Sequence, residues 1–370
     1  MESAKIKYHW GTSPIFLVTY HTLLAISLPI YLYYGQLHTG TMVSAFILLW
    51  LTGLSVTAGY HRYYSHRAFK AHPIVEFALL FFGTMACQSS VLRWSYDHRR
   101  HHAFVDTDKD PYCIKKGFWY AHFLWMLEKH PPIESKVVSD LMSNKMVVFQ
   151  DRYYPWLMVG TNFLAFLTVG LCFGDFLGAF LIATLLRMFF LHHCTWFINS
   201  LAHTWGSKQF SQEQTAVDNF VIALLTFGEG YHNYHHTFAN DYRNGIRWYH
   251  FDPTKWLIWT LSKLGLTTAL KQTDKMTIKK RMVIEEKVFL IDNIARYWND
   301  KRHELERQVN ELSEKVLTSI SELAQLKERC LEEFNSKEQF STQFKELQKR
   351  LRDDWRQWKA LSSNIMKGAV

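Results

Sequence analysis

Four stretches of this 370-residue chain are long and apolar enough to cross a hydrocarbon core of about 30 Å, at residues 15–34, 41–60, 155–173 and 179–200. No water inside a bilayer satisfies backbone polar groups, so stretches of this kind are helices. They make the fold an all-α membrane protein. The linkers between them differ in charge. Residues 35–40 hold no Lys, Arg, Asp or Glu, and residues 174–178 hold only Asp175. Lys5 and Lys7 precede the first span, and the long segments after spans two and four carry many Lys and Arg. Cytoplasmic loops collect basic residues, so both short hairpins are expected outside, with both termini and the rest of the chain cytoplasmic. No cleavable signal peptide is expected before the first span.

A fifth stretch, residues 73–92, is nearly as apolar. If it crossed, the histidines at 61–66 and 98–102 would face opposite sides of the membrane and could share no metal. It is therefore read as a helix in the cytoplasmic interface, with Glu76 directed toward water or protein. Residues 253–270 mix Trp256, Leu257, Trp259 and Leu264 with Lys255 and Lys263 and are read the same way. The alternative for both is a buried helix of a cytoplasmic cap.

The net charge of +9 does not indicate a nucleic-acid partner, because the basic residues form no separate reading module. Beside apolar segments they suit an anionic membrane face. The five cysteines are scattered with no CxxC pair, which argues against a disulfide framework and a thiolate metal site.

Histidine carries the chemistry. There are nineteen, and eight fall in three boxes: His61-Arg-Tyr-Tyr-Ser-His66, His98-Arg-Arg-His101-His102 and His232-Asn-Tyr-His235-His236. The second and third boxes share the spacing i, i+3, i+4, so one helical turn can offer ligands to two adjacent metals. Asn199 and His203, at the end of the fourth span, repeat the i, i+4 spacing. Imidazole suits iron, zinc, copper or nickel, so ligand type alone leaves the metal open. A catalytic zinc site takes about three protein ligands, and haem takes two axial histidines. Nine histidines suit two metals with four or five ligands each. Under the membrane surface such a site meets unactivated carbons buried in lipid, which favours oxygen chemistry at redox-active iron.

At these boxes, at Asn199-Ser-Leu-Ala-His203 and at Gly228-Glu-Gly-Tyr-His232, the sequence resembles the integral-membrane fatty acid desaturases, in particular the acyl-CoA Δ9 (stearoyl-CoA) group. Asp241-Tyr-Arg243 and Arg247-Trp248 continue the likeness, which covers roughly residues 15–270. The resemblance implies four transmembrane helices under a cytoplasmic helical cap that holds two non-haem irons. One iron would be held by His61, His66, His101 and His236, with Asn199 reaching it through water; the other by His98, His102, His203, His232 and His235. Asp97 and Glu229 would support ligand rings from behind. The activity implied is insertion of a cis double bond into a saturated acyl chain with O2 and two electrons. A membrane di-iron hydroxylase is the alternative.

The resemblance also implies a bent acyl tunnel, lined here by Trp94, Thr195 and Trp196 and closed near Gly53, Leu54 and Tyr33. Lys115, Lys116 and Lys129 would meet coenzyme A. Ser89 and Tyr96 stand where the stearoyl-CoA group has an amide and a guanidinium, which leaves other acyl carriers open. No cytochrome-b5-like or rubredoxin-type motif is present, so the electrons are expected from a separate protein. His192 and His193 are expected to pack or hydrogen-bond between helices, and Arg187 to face the bundle, because a lipid-facing charge is costly.

Residues 1–280 are thus read as the membrane desaturase domain and 281–370 as coiled-coil-like helices. From Ile284 the apolar residues follow a heptad through Val288, Ile291, Ala295, Trp298, Leu305, Val309, Leu312, Val316, Leu323 and Leu326. Arg302, Ser319 and Asp354 interrupt that seam. The phase slips at 333–337 and returns with Phe340, Phe344, Leu347, Leu351, Trp358, Leu361 and Ile365. A break at Asn335-Ser336 is expected, with a continuous rod as the alternative. The uncovered seam predicts a homo-oligomer.

Overall fold

The computed structural model describes residues 12–35, 37–332 and 337–368. Lys5, Lys7, the expected break at Asn335-Ser336 and the side chain of Phe340 lie outside the described residues. The chain divides into two compact units. The residues up to Ser207 join Gln214–Gln272 in one, and Lys208–Glu213 join the residues from Thr273 onward in the other.

The first unit contains four helices long and apolar enough to span a membrane: Ser13–Tyr34, Thr39–Ser65, Lys145–Phe173 and Phe176–His203. The second and fourth run past their expected ends at 60 and 200, because the helix continues out of the apolar zone. The third starts ten residues early, where Asn144 accepts the N–H groups of Met146 and Val147. It ends at Gly174, whose φ of 68° favours glycine. Arg187 is buried, donating to the carbonyls of Ala183 and Met85.

The expected single helix over 73–92 is two. Pro73–Met85 spans about 20 Å at 1.5 Å per residue, too short for the hydrocarbon core. Cys87 and Ser89 then take positive φ (58° and 77°) and turn the chain. A second helix, Val91–Phe104, starts at Ser90, whose hydroxyl accepts from Arg93 N. Glu76 points into protein, bonded by Tyr64 Oη and Asn144 Nδ2. The helix expected over 253–270 covers only Pro253–Lys263 and lies half in, half out: Ile258 is fully buried while Trp256 and Trp259 are exposed. Beyond it, Lys70–Ala71 pairs antiparallel with Thr267–Thr268.

The second unit has three long helices, Lys275–Tyr297, Arg302–Glu332 and Lys337–Gly368. They share a core of Leu290, Ile294, Val309, Val316, Ile320, Leu323, Leu351, Trp358 and Ile365. Ser319 donates to Asp354 and Arg350 pairs with Glu322, so the last two helices run antiparallel. The polar seam positions Ser319 and Asp354 satisfy each other across this interface. The expected phase fails in the first helix, where Val288 is 57% exposed and Val283, Leu290 and Ile294 are buried. The cause is a break at Trp298 and a 3₁₀ turn at Asn299–Lys301, across which no heptad register carries. Arg302 is likewise outside the seam, paired with Glu306. Among the described residues, Val309, Val316, Leu323, Leu351, Trp358 and Ile365 of the seam are buried within the unit, while Val288 faces outward.

Candidate metal centre

His61 lies in the last turns of the second span, which over Ser55–Ser65 are π-helical. Residues five apart on an α-helix point about 140° away from each other. In a π-helix the i→i+5 bond stacks them. Here His66 N donates to His61 O at 3.1 Å, and the two rings sit 4.9 Å apart, centre to centre. The wide turn makes the spacing of the first box useful.

On the helix Val91–Phe104, His98 and His102 lie one turn apart on one flank and His101 on the next. The six-residue helix His232–Thr237 divides similarly, with His232 and His236 on one flank and His235 on the other. The outcome is two groups: His61, His66, His98, His102 and His235, and His101, His203, His232 and His236, each with its ligand nitrogens within 4.8 Å of one another. The expected sharing is therefore corrected. His98, His102 and His235 join His61 and His66, while His101 and His236 join His203 and His232. Helix phase decides this. Asn199 lies one turn before His203 and lines the adjoining cavity, as do His61, His98, His101 and His232.

The ring geometry tests whether metals fit. Nitrogens about 2.1 Å from a shared ion lie about 3 Å apart when adjacent. Facing Nε2 atoms are 3.0 Å apart in His61–His235 and His102–His235, and 2.8 Å in His66–His98. In the second group they are 3.2 Å apart in His101–His236 and 3.0 Å in His232–His236. Burial, then the neighbouring rings, hold His66, His98, His102, His232, His235 and His236 well below their ordinary pKa. This favours the neutral form of these six rings, the form that ligates. Each group fits a metal ion.

Outward ring nitrogens are held from behind. Glu229 Oε2 lies 2.9 Å from His61 Nδ1. Its other oxygen accepts from Arg62, which also bonds Asp252 and the Tyr242 carbonyl. Burial would raise the Glu229 carboxyl, but Arg62 and His61 outweigh it and hold it below its ordinary pKa. Gly228 at φ 99° lets this loop pass Asp252, where a Cβ would lie 2.7 Å from the Asp252 Cα. Asp110 accepts from His101 Nδ1 at 2.9 Å. Thr215 Oγ1 meets His203 Nδ1 at 2.8 Å and is itself bonded to Asp106. Asp97 departs from expectation: its carboxylate takes both Arg93 bonds, at 2.8 and 2.9 Å, and no ligand ring. Burial pushes it up to about 6 despite Arg93. Asp106, Asp110, Thr215 and Arg62 were missed; the acidic run Asp106, Asp108, Asp110 just past the second box was the available signal.

A cavity of about 470 Å³ adjoins both groups, lined by His61, His98, His101 and His232 at the metal end. Trp94, Thr195, Trp196 and Asn199 also line it, as do Gly53, Phe227, Leu17 and Met158 from or near the spans. Trp94 lies nearly parallel to His98, 4.9 Å away, and Gln88 donates to Thr195 at 2.9 Å. Of the residues expected at the closed end, Gly53 lines the cavity, whereas Tyr33 is 80% exposed at the far end of its span. Lys115, Lys116 and Lys129 are exposed and outside the lining, with Lys129 next to the cavity-lining His130.

Residues 37–268 match the model of a family described as fatty acid desaturase. A probable acyl-CoA desaturase of Schizosaccharomyces pombe is 44% identical over 280 residues, covering 73% of this chain and 58% of the relative. Acyl-CoA desaturase 1 of Saccharomyces cerevisiae is 36% identical over 301 residues, covering 77% and 59% respectively. The stearoyl-CoA desaturase of Sus scrofa is 36% identical over 249 residues, covering 65% and 69%. This chain therefore spans less than two thirds of the length of the first two.

Proposed function

We propose, because this chain belongs to the fatty acid desaturase family, that it converts a saturated fatty acyl chain on coenzyme A into the cis-Δ9 unsaturated product. One hydrogen leaves each of two adjacent carbons; with O2, two electrons and two protons, the balance yields two waters. Two iron ions, one in each histidine group, supply when bound the redox-active centre at which O2 is reduced.

The observation that carries the reading is one cavity, bounded at one end by histidines of both groups and elsewhere by side chains of the spans. Its size falls in the range of about 300–1,000 Å³ common for small-molecule sites. Glu229, Asp110 and Thr215 face the outward nitrogens of His61, His101 and His203, which turns each Nε2 toward the centre. Trp94 packs flat on His98 and Trp196 forms a further wall. Together they hold the acyl chain beside the centre and exclude water. Exposed Lys115, Lys116 and Lys129 meet the phosphates of coenzyme A, and a separate carrier protein delivers the electrons. In this integral membrane protein the basic segments set the centre on the cytoplasmic side.

The test is mass spectrometry of lipids from a host expressing the chain, with double bonds mapped. New Δ9 monounsaturated chains support the reading. Hydroxylated chains, or no change with both metals bound, refute it.

A further inference from the structure

A second set of histidines lies behind the cavity wall and ligates nothing in either group. His21 Nδ1 is 2.7 Å from the Leu17 carbonyl and must donate to it. With His21 neutral, its Nε2 is an acceptor, and His193 Nε2 donates to it at 3.3 Å. His193 Nδ1 faces His122 Nε2, 3.1 Å away. His122 Nδ1 lies 3.0 Å from Ser200 Oγ, which itself donates to the Trp196 carbonyl at 3.1 Å. Hydrogen bonds thus link three rings drawn from the first span, the fourth span and the short helix Phe118–His122, anchored at one end on the Leu17 carbonyl and at the other, through Ser200, on the Trp196 carbonyl. His193 is bonded through both nitrogens on opposite sides, so the three rings do not converge on one point as metal ligands do. His192, beside them, is held between Tyr20 Oη at 2.8 Å and the Ala86 carbonyl at 3.0 Å.

All four rings pack on one indole. The Trp196 ring lies 4.9 Å from His193, 5.3 Å from His192, 5.8 Å from His122 and 6.1 Å from His21. Trp196 lines the acyl cavity, whereas His21, His122 and His193 do not. We propose that the His21–His193–His122 chain is a brace that fixes the Trp196 indole and so sets which carbons of the acyl chain stand beside the metal centre. The three are positioning residues. A linked set of hydrogen bonds holds a wall more rigidly than apolar packing alone, which tolerates repacking. This inference rests on the acyl-desaturase reading.

The test uses the purified full-length protein with His193→Leu, His21→Leu and His21→Gln; the last keeps an acceptor near the position of Nε2. With stearoyl-CoA, the two leucine variants should lose about tenfold or more in kcat, or spread the double bond over neighbouring carbons, because ångström-scale misplacement is costly. Iron content and KM should stay at the wild-type level, and His21→Gln should keep the wild-type product. Leucine variants with wild-type kcat and product overturn the brace, as does a glutamine variant as defective as leucine. A structure of His193→Leu, or of His21→Leu if the former does not fold, decides independently of turnover: a displaced indole supports the brace, and an unmoved one overturns it. A wild-type protein that forms no unsaturated product would instead count against the desaturase reading, leaving that structure to judge the brace.

Discussion

Replacing Glu229 by glutamine changes one atom in a buried carboxylate, and its effect follows from the bonds at each oxygen. Oε1 accepts from Arg62 Nε and Nη2 at 3.3 and 2.9 Å; Oε2 accepts from Asn244 at 2.6 Å and lies 2.9 Å from His61 Nδ1. In the variant the amide oxygen stays with the Arg62 cation, so the NH2 group faces His61 and Asn244. A donor then meets a donor. His61 relieves the conflict by moving its proton from Nδ1 to Nε2, the inward nitrogen, and is lost as a ligand. Removing such a supporting partner costs about 10–100-fold in metal affinity, about 1.4–2.7 kcal/mol. A competing effect is the uncompensated charge on buried Arg62, worth about 3–5 kcal/mol when a buried pair is broken outright. Arg62 keeps Asp252 at 3.0 Å and the Tyr242 carbonyl at 2.7 Å, so the loss of metal is expected to dominate. Iron(II) titration against a chelator of known affinity measures it, with melting temperature recorded on the same samples. Asp97→Asn is the control, since Asp97 supports no ring. Glu229→Gln with wild-type iron affinity, or Asp97→Asn with an equal loss, would refute the reasoning.

Paired ligand substitutions test the sharing of histidines: His61→Ala with His98→Ala should lose no more iron than either alone, while His61→Ala with His101→Ala should empty both groups. Iron counted per chain by elemental analysis decides, and the opposite pattern would return to the sharing first expected. Gly53 packs against the Phe227 ring, where an added Cβ would lie 2.3 Å from ring carbons, so Gly53→Leu should shift product toward shorter chains, read by competition between palmitoyl-CoA and stearoyl-CoA. Trp358 is fully buried and donates to Glu286 at 2.6 Å. Its replacement by alanine should destabilise the C-terminal helices by about 3–5 kcal/mol, seen as faster hydrogen exchange over Lys275–Gly368; unchanged protection there would contradict the packing.

What was legible in the sequence is what the solvent dictates locally. Residues 15–34 had to be a helix because a bilayer offers their backbone nothing else, and box spacing marked eight of the nine histidines before any fold was known, with His203 marked by its spacing from Asn199. Relations that depend on phase were not legible. The π-helical turn that stacks His66 over His61 leaves no compositional mark, and the 3₁₀ turn after Trp298 silently reset the heptad, exposing Val288. Glu229 and Asp97 both looked able to support a ligand. Only the long-range meeting of Glu229 with His61, 168 residues earlier in the chain, and the local capture of Asp97 by Arg93, separated them.

The same dependence on phase explains how the two groups relate. Each i, i+3, i+4 box keeps its i and i+4 histidines together and sends i+3 across. The second box gives His98 and His102 to the first group and His101 to the second; the third box gives His232 and His236 to the second group and His235 to the first. The exchange is reciprocal, so each group is anchored by both boxes and neither can shift without turning a helix that also ligates the other. A two-residue i, i+4 pair could fill one group but could not couple it to its neighbour. The middle histidines, His101 and His235, are therefore the couplers, and substituting either should alter the geometry of both groups. Spectroscopy of the iron that remains in His235→Ala reads this directly: an unchanged signal from the second group would show that the groups are independent.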